Sequence, residues 1–149
     1  MTVNNNGSGV ITGTNGAILV AAGTRANISN NATLTGRVTL NNTGQTDFGN
    51  SGTWTFNGDS VLNGGVTVLT NNAGGLISTG AAATIDFADG FDTLNNAGTL
   101  ILGASGGGAA TLTLSSLESW DNTGVIALGD DGETDDRIVA NGVMFEGTF

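Results

Sequence analysis

Apolar and polar residues alternate with period two along much of this chain. Thr33-Leu34-Thr35, Arg37-Val38-Thr39-Leu40, Val66-Thr67-Val68, Thr84-Ile85-Asp86-Phe87 and Thr111-Leu112-Thr113-Leu114 are examples. Alternation sends successive side chains to opposite faces, so these segments predict strands with one buried face. The strands are short, and Gly, Asn or Ser interrupts them every six to ten residues. No stretch carries a 3.6-residue period. Ser115 to Trp120 could form at most one helical turn.

The segments between the breaks repeat. Asn50-Ser51-Gly52-Thr53-Trp54-Thr55-Phe56 aligns with Asn72-Ala73-Gly74-Gly75-Leu76-Ile77. Asn96-Ala97-Gly98-Thr99-Leu100-Ile101-Leu102 and Asn122-Thr123-Gly124-Val125-Ile126-Ala127-Leu128 continue the series. The intervals between these Asn anchors are 22, 24 and 26 residues. Phe91-Asp92-Thr93-Leu94-Asn95-Asn96 also aligns with Leu117-Glu118-Ser119-Trp120-Asp121-Asn122, and Asn30 to Leu34 and Asn41 to Gly44 read as more degenerate copies. Self-similarity at this period separates a solenoid from a sandwich of equally short strands.

The fold class expected is therefore all-β: a right-handed, single-stranded parallel β-helix of about six coils of 19–26 residues, filling residues 1–149 as a single repeat domain. Stacked at the ~4.8 Å strand spacing, such a rod is about 30 Å long. Leu34, Leu40, Trp54, Phe56, Val68, Ile85, Phe87, Leu100, Leu102, Leu112, Leu114, Ile126 and Leu128 are its expected interior rows. Asn and Gly are expected at corners for their tolerance of positive φ, and stacked Asn side chains could form an amide ladder.

Composition agrees with that reading. Gly (26), Thr (22) and Asn (18) make up 66 of 149 residues, and proline is absent. Gly, Asn and Thr are poor helix formers, and proline would remove a ladder donor. With no cysteine there are no disulfides, thiol chemistry or thiolate metal sites.

Charge narrows the partners. The net charge is -10, and three arginines are the only cations among Lys and Arg. Residues 1–85 balance to zero, while residues 86–149 hold eleven acids and Arg137. So few cations exclude a phosphate-tracking groove and attraction to an anionic membrane, so no nucleic-acid partner is expected. No apolar run approaches the ~18 residues of a membrane span, and the first residues do not read as a signal peptide. No direct membrane insertion is expected of this segment.

Phe91 to Leu100 and Trp120 to Leu128 resemble the passenger repeats of autotransporters, in particular of large alphaproteobacterial surface proteins. Gly132 to Gly142 also resembles a turn and strand common there. The resemblance covers residues 50–142 well and 1–49 loosely. It implies an exported β-helical stalk or adhesin segment at the bacterial cell surface, with the export signal and membrane barrel in flanking segments. It also implies a host-cell or matrix surface as partner. A filamentous haemagglutinin-like adhesin segment and a polysaccharide-binding or -cleaving β-helix are the alternatives. Open strand edges at both ends add a further expectation: end-to-end self-association, or fraying at residues 1–10 and 140–149.

Candidate chemistry is sparse, and no enzyme activity is expected. Asp130, Asp131, Glu133, Asp135 and Asp136 put five carboxylates in seven residues, a candidate Ca²⁺ ligand set. Their spacing is not that of an EF-hand, and the plain reading is a solvated loop. No other cofactor is expected. Asp86, Asp89 and Asp92, with Glu118 stacked above Asp92, could pair for glycosidic hydrolysis, but no His is present as a base. Thr-x-Thr triplets at 33–35, 53–55 and 111–113 would make an ice-matching array only if stacked in register. Asn6, Asn27, Asn31 and Asn41 open glycosylation sequons, as expected by chance in this composition. The phase of Trp54 and Trp120 points both inward, toward packing rather than sugar stacking.

Overall fold

The computed structural model of the chain describes residues 1–80, 82–88, 90–103, 109–129, 136–140 and 143–147. All assigned strand pairs are parallel, and no helix occurs among the described residues. The chain is a β-solenoid whose coils each cross three faces. On the first face, the leading halves of β3 (Ile18–Asn30) and β5 (Val38–Asn50) stack with β7 (Ser60–Asn63), β10 (Ala83–Asp86), β13 (Thr111–Ser115) and β16 (Arg137–Ala140). On the second, β1 (Thr2–Asn5) and the trailing halves of β3 and β5 stack with β8 (Val66–Asn71), β11 (Thr93–Asn96), β14 (Ser119–Asn122) and β17 (Met144–Gly147). The third is a six-stranded sheet of β2 (Val10–Thr12), β4 (Thr33–Thr35), β6 (Thr53–Thr55), β9 (Leu76–Thr79), β12 (Thr99–Leu102) and β15 (Val125–Leu128).

The interior is built from register-matched rows. One row on the second face runs Ile28, Phe48, Leu69, Leu94 and Trp120, each paired with the next. On the third face, Leu34 pairs with Trp54, Trp54 with Ile77, and Leu100 with Ile77. Trp54 packs between Phe48, with ring centroids 4.8 Å apart, and Phe56, stacked at 4.5 Å. These aromatic contacts fill the middle of the rod. The interior void beside Leu69, Ile85 and Leu112 is only about 10 Å³, too small for a ligand.

The predicted amide ladder is present and continuous. Asn5 donates from Nδ2 to Asn30 Oδ1, Asn30 to Asn50, Asn50 to Asn71, Asn71 to Asn96 and Asn96 to Asn122, at 2.7–2.8 Å. Five such steps, separated by 25, 20, 21, 25 and 26 residues, make about five turns. The same amides also donate to the carbonyls of Thr33, Thr53, Leu76, Thr99 and Val125, fixing where each third-face strand begins.

Three expectations change. In the second anchor the buried residue is Asn71, not Asn72, which is exposed. The corner after Asn71 is two residues longer than that after Asn50: Leu76 rather than residue 74 pairs with Thr53. A turn closed by Gly75 N donating to Asn72 O takes up the extra length. Asn41 to Gly44 is not a copy of this corner. It lies where β5 bends from the first face to the second, with Asn42 buried and donating to the carbonyls of Gly44 and Gln45.

The corner glycines also answer to a different constraint. Gly52, Gly98 and Gly124 are not among the positive-φ residues. A Cβ on Gly52 would collide with Ala32, and one on Gly98 or Gly124 with the carbonyl of Gly75 or Gly98 in the preceding coil. Glycine is needed there for close approach of backbones, not for left-handed φ. Left-handed φ falls instead on Gly7, Gly36, Gly58, Gly74 and Gly103, and on Ala88 and Ser116.

Val68 and Leu128 leave the expected interior set. The ladder at Asn71 fixes the phase of β8, so Leu69 and Thr67 point inward and Val68 outward. Buried Thr67 donates its hydroxyl to Leu62 O at 2.7 Å. Leu128 is exposed and Ile126 half-buried on β15, the last of the described third-face strands.

Candidate functional site

Most candidate carboxylates within the described residues are bound into the fold. Asp92 is fully buried, and its Oδ1 accepts from the backbone N–H of Thr67 at 2.5 Å. Glu118 stacks over it as expected, its Oε2 accepting from Asp92 N at 2.7 Å. Asp86 Oδ1 accepts from Ser115 Oγ at 2.8 Å and from Ala88 N at 3.2 Å. Asp89 lies outside the described residues. A carboxylate sealed inside a coil cannot reach a sugar, so Asp92 and Glu118 do not assemble the glycosidic pair. They join successive coils instead.

Of the candidate Ca²⁺ ligands, Asp130, Asp131, Glu133 and Asp135 lie outside the described residues. Asp136 is half-buried, and its Oδ1 accepts from Ala110 N at 2.6 Å. It therefore repeats the role of Asp92. Each aspartate immediately precedes a strand, β11 or β16, and receives an N–H from the coil before, 25 or 26 residues earlier. This role does not emerge from the sequence reading, although an Asp just ahead of a strand in two repeats is a visible signal. Among the described residues no group of three or more carboxylates is arranged to hold a metal ion.

The two tryptophans are buried. Trp54 donates from Nε1 to Gly36 O at 3.1 Å, and neither offers an exposed ring for sugar stacking. Two of the Thr triplets stack in register, Thr33 on Thr53 and Thr35 on Thr55. The third is in β13 on the first face, and Leu76 follows Thr53 in the next coil, so the array stops after two coils. Arg25 and Asp47 form an exposed ion pair at 2.8 Å across adjacent second-face strands.

A large concavity opens at the C-terminal end of the rod. It measures about 720 Å³ and is lined by Trp120, Val125, Ile126, Leu128, Ile138 and Val143, among others. Among the described residues, the first and second faces each carry a strand, β16 and β17, beyond the level of β15, and the concavity lies beside them over β15. The lining of this notch is mostly apolar, with Asn122, Asp136 and Arg137 as its polar residues. No helix of the described residues is long and apolar enough to cross a membrane. Comparison of the chain with protein-family models, with curated proteins and with solved structures finds no match.

Proposed function

We propose that this chain is a rigid, non-catalytic scaffold: a stalk or adhesin segment of the bacterial surface type that its resemblance to autotransporter passengers implies. The observation that carries this reading is the unbroken asparagine row from Asn5 to Asn122, with a filled interior beside it. Each side-chain amide is shared between two coils, so no coil can tilt without breaking buried hydrogen bonds. The polar interior is spent on holding shape, and the carboxylates described above are spent likewise. A rod of this kind spaces what lies at its two ends by about five strand spacings, ~24 Å. Contact with a host-cell or matrix surface belongs to this reading, through the outward faces.

The test is to place the chain between an export signal and an outer-membrane barrel, with an epitope tag ahead of Met1. The expected result is a folded, protease-resistant segment with the tag accessible on intact cells. Retention inside the cell, or rapid proteolysis at the surface, would count against a surface stalk. Release of reducing ends from a panel of polysaccharides by the purified chain would select the sugar-cleaving alternative.

A further inference from the structure

We infer that Asn57–Gly58 is a site of spontaneous covalent modification, at which the Gly58 nitrogen closes on the Asn57 side chain, ammonia leaves, and the pair ages to aspartate and isoaspartate. Asparagine followed by glycine cyclises readily, because glycine has no side chain to shield the attacking nitrogen and its backbone turns at little cost. Four such pairs fall among the described residues: Asn6–Gly7, Asn15–Gly16, Asn57–Gly58 and Asn63–Gly64. Asn141–Gly142 lies outside them. The asparagines of the buried row, from Asn5 to Asn122, are never followed by glycine.

The same dipeptide meets different surroundings at each place. Ring closure requires the peptide joining the two residues to turn until its nitrogen faces Cγ of the asparagine, so a bond that pins this peptide opposes the reaction. Asn6 O accepts from Gly9 N at 3.1 Å, and Asn15 O accepts from Arg37 Nη2 at 2.5 Å. Asn63 ends β7, paired with Asn41, and Gly64 is buried so tightly that a Cβ there would lie 2.7 Å from Gly44 O. Asn57 is exposed and lies between β6 and β7, outside any strand. Among the described residues no hydrogen bond holds the peptide between Asn57 and Gly58.

What is held at this pair is the side chain. Asn57 Oδ1 accepts from Gly80 N, one coil on, at 3.2 Å. This donor faces the oxygen that gains negative charge when the nitrogen adds to Cγ, so it favours that step as an oxyanion donor does. Asn6 has a comparable donor in Asn31 Nδ2 at 2.7 Å, but its peptide is pinned. In the reaction, the Gly58 nitrogen gives its proton to hydroxide and bonds to Asn57 Cγ. The bond from Cγ to the side-chain nitrogen breaks, and that nitrogen takes a proton from water and leaves as ammonia. Water then opens the cyclic imide. Opening at Cγ gives aspartate, and opening at the main-chain carbonyl gives isoaspartate, whose main chain is one carbon longer. The longer link would fall in the corner between buried Phe56 and buried Ser60. Either product adds negative charge to residues 1–85, which otherwise balance to zero.

The described pairs serve as one another's controls, in an Asn141→Gln background that silences the remaining one. The purified chain is held in warm, mildly alkaline buffer, and peptide mapping by mass spectrometry follows each asparagine over time. In the folded chain Asn57 is expected to convert roughly fivefold faster than Asn6, Asn15 or Asn63, the factor that one pinning hydrogen bond contributes. In urea the four rates should converge, because the pinning bonds are gone. Adding Asn57→Gln, whose longer side chain closes a ring far more slowly, should remove the first acidic form to accumulate on ion exchange. Conversion at Asn57 no faster than at the other three, a ranking that survives in urea, or an early acidic form that persists in Asn57→Gln would overturn the proposal.

Discussion

Asn50 donates its side-chain amide to Asn71 Oδ1 at 2.8 Å, and its own Oδ1 accepts from Asn30 at 2.7 Å. One side chain thus satisfies groups in both neighbouring coils. Asn50→Ala would leave Asn30 and Asn71 each short of a buried partner, costing about 2–4 kcal/mol in urea denaturation. Asn72→Ala removes only an exposed bond to Ser51 and should change stability by less than about 0.5 kcal/mol. Equal losses for the two variants would contradict the register.

The corner glycines separate two kinds of glycine requirement. A methyl on Gly98 would strike the backbone of Gly75 and the side chain of Asn71, so Gly98→Ala is expected to cost more than about 3 kcal/mol or to prevent folding. Gly74 has left-handed φ, and no atom lies within 4 Å of where an alanine methyl would sit, so Gly74→Ala should cost only about 1 kcal/mol. Thermal melts monitored by far-ultraviolet circular dichroism would rank the pair.

Ala88 and Ser116 adopt φ of 63° and 57° at corners between the first and second faces. A side chain at such angles is strained relative to glycine. Ala88→Gly and Ser116→Gly should therefore raise stability, by up to about 1 kcal/mol each. A lowered denaturation midpoint for both would show that these side chains contribute contacts outweighing the strain.

Trp54 reports on the middle of the rod. Its stacking on Phe56 and its bond to Gly36 predict a blue-shifted emission that moves red on unfolding. Trp54→Ala should cost about 3–5 kcal/mol. By contrast Arg25→Ala, which removes an exposed ion pair, should cost less than about 1 kcal/mol.

The class of fold is legible because a solenoid writes its period into the sequence. Alternation alone identifies Leu34, Trp54, Ile85 and Leu112 as interior, and the Asn-x-Gly corners locate the ladder. Features set by the neighbouring coil are not legible. The shift from Asn72 to Asn71 arises because a longer corner preserves Asn-small-Gly spacing while moving the buried residue by one. Val68 looks interior in the sequence because β8 alternates equally well in either phase, and only the pairing of Leu69 with Phe48 chooses between them. The aspartates at 92 and 136 read as candidate chemistry, since a carboxylate that accepts an N–H 25 residues away leaves no local mark. The C-terminal notch depends on how far each face extends among the described residues, which follows from the threading and not from any motif.

Every amide in the asparagine row points the same way, with its N–H toward Asn122 and its carbonyl toward Asn5. A carboxamide has a dipole close to that of a peptide unit, ~3.5 D, so six of them in line add up as they do along a helix axis. The positive pole then falls at the end of the rod where residues 86–149 concentrate eleven acids, and the negative pole at the end that holds Arg25 and Arg37. Side chains outside and dipoles inside therefore offset one another along the axis. The rod has an electrical head and tail even though its backbone repeats, and an applied field would tell its two ends apart.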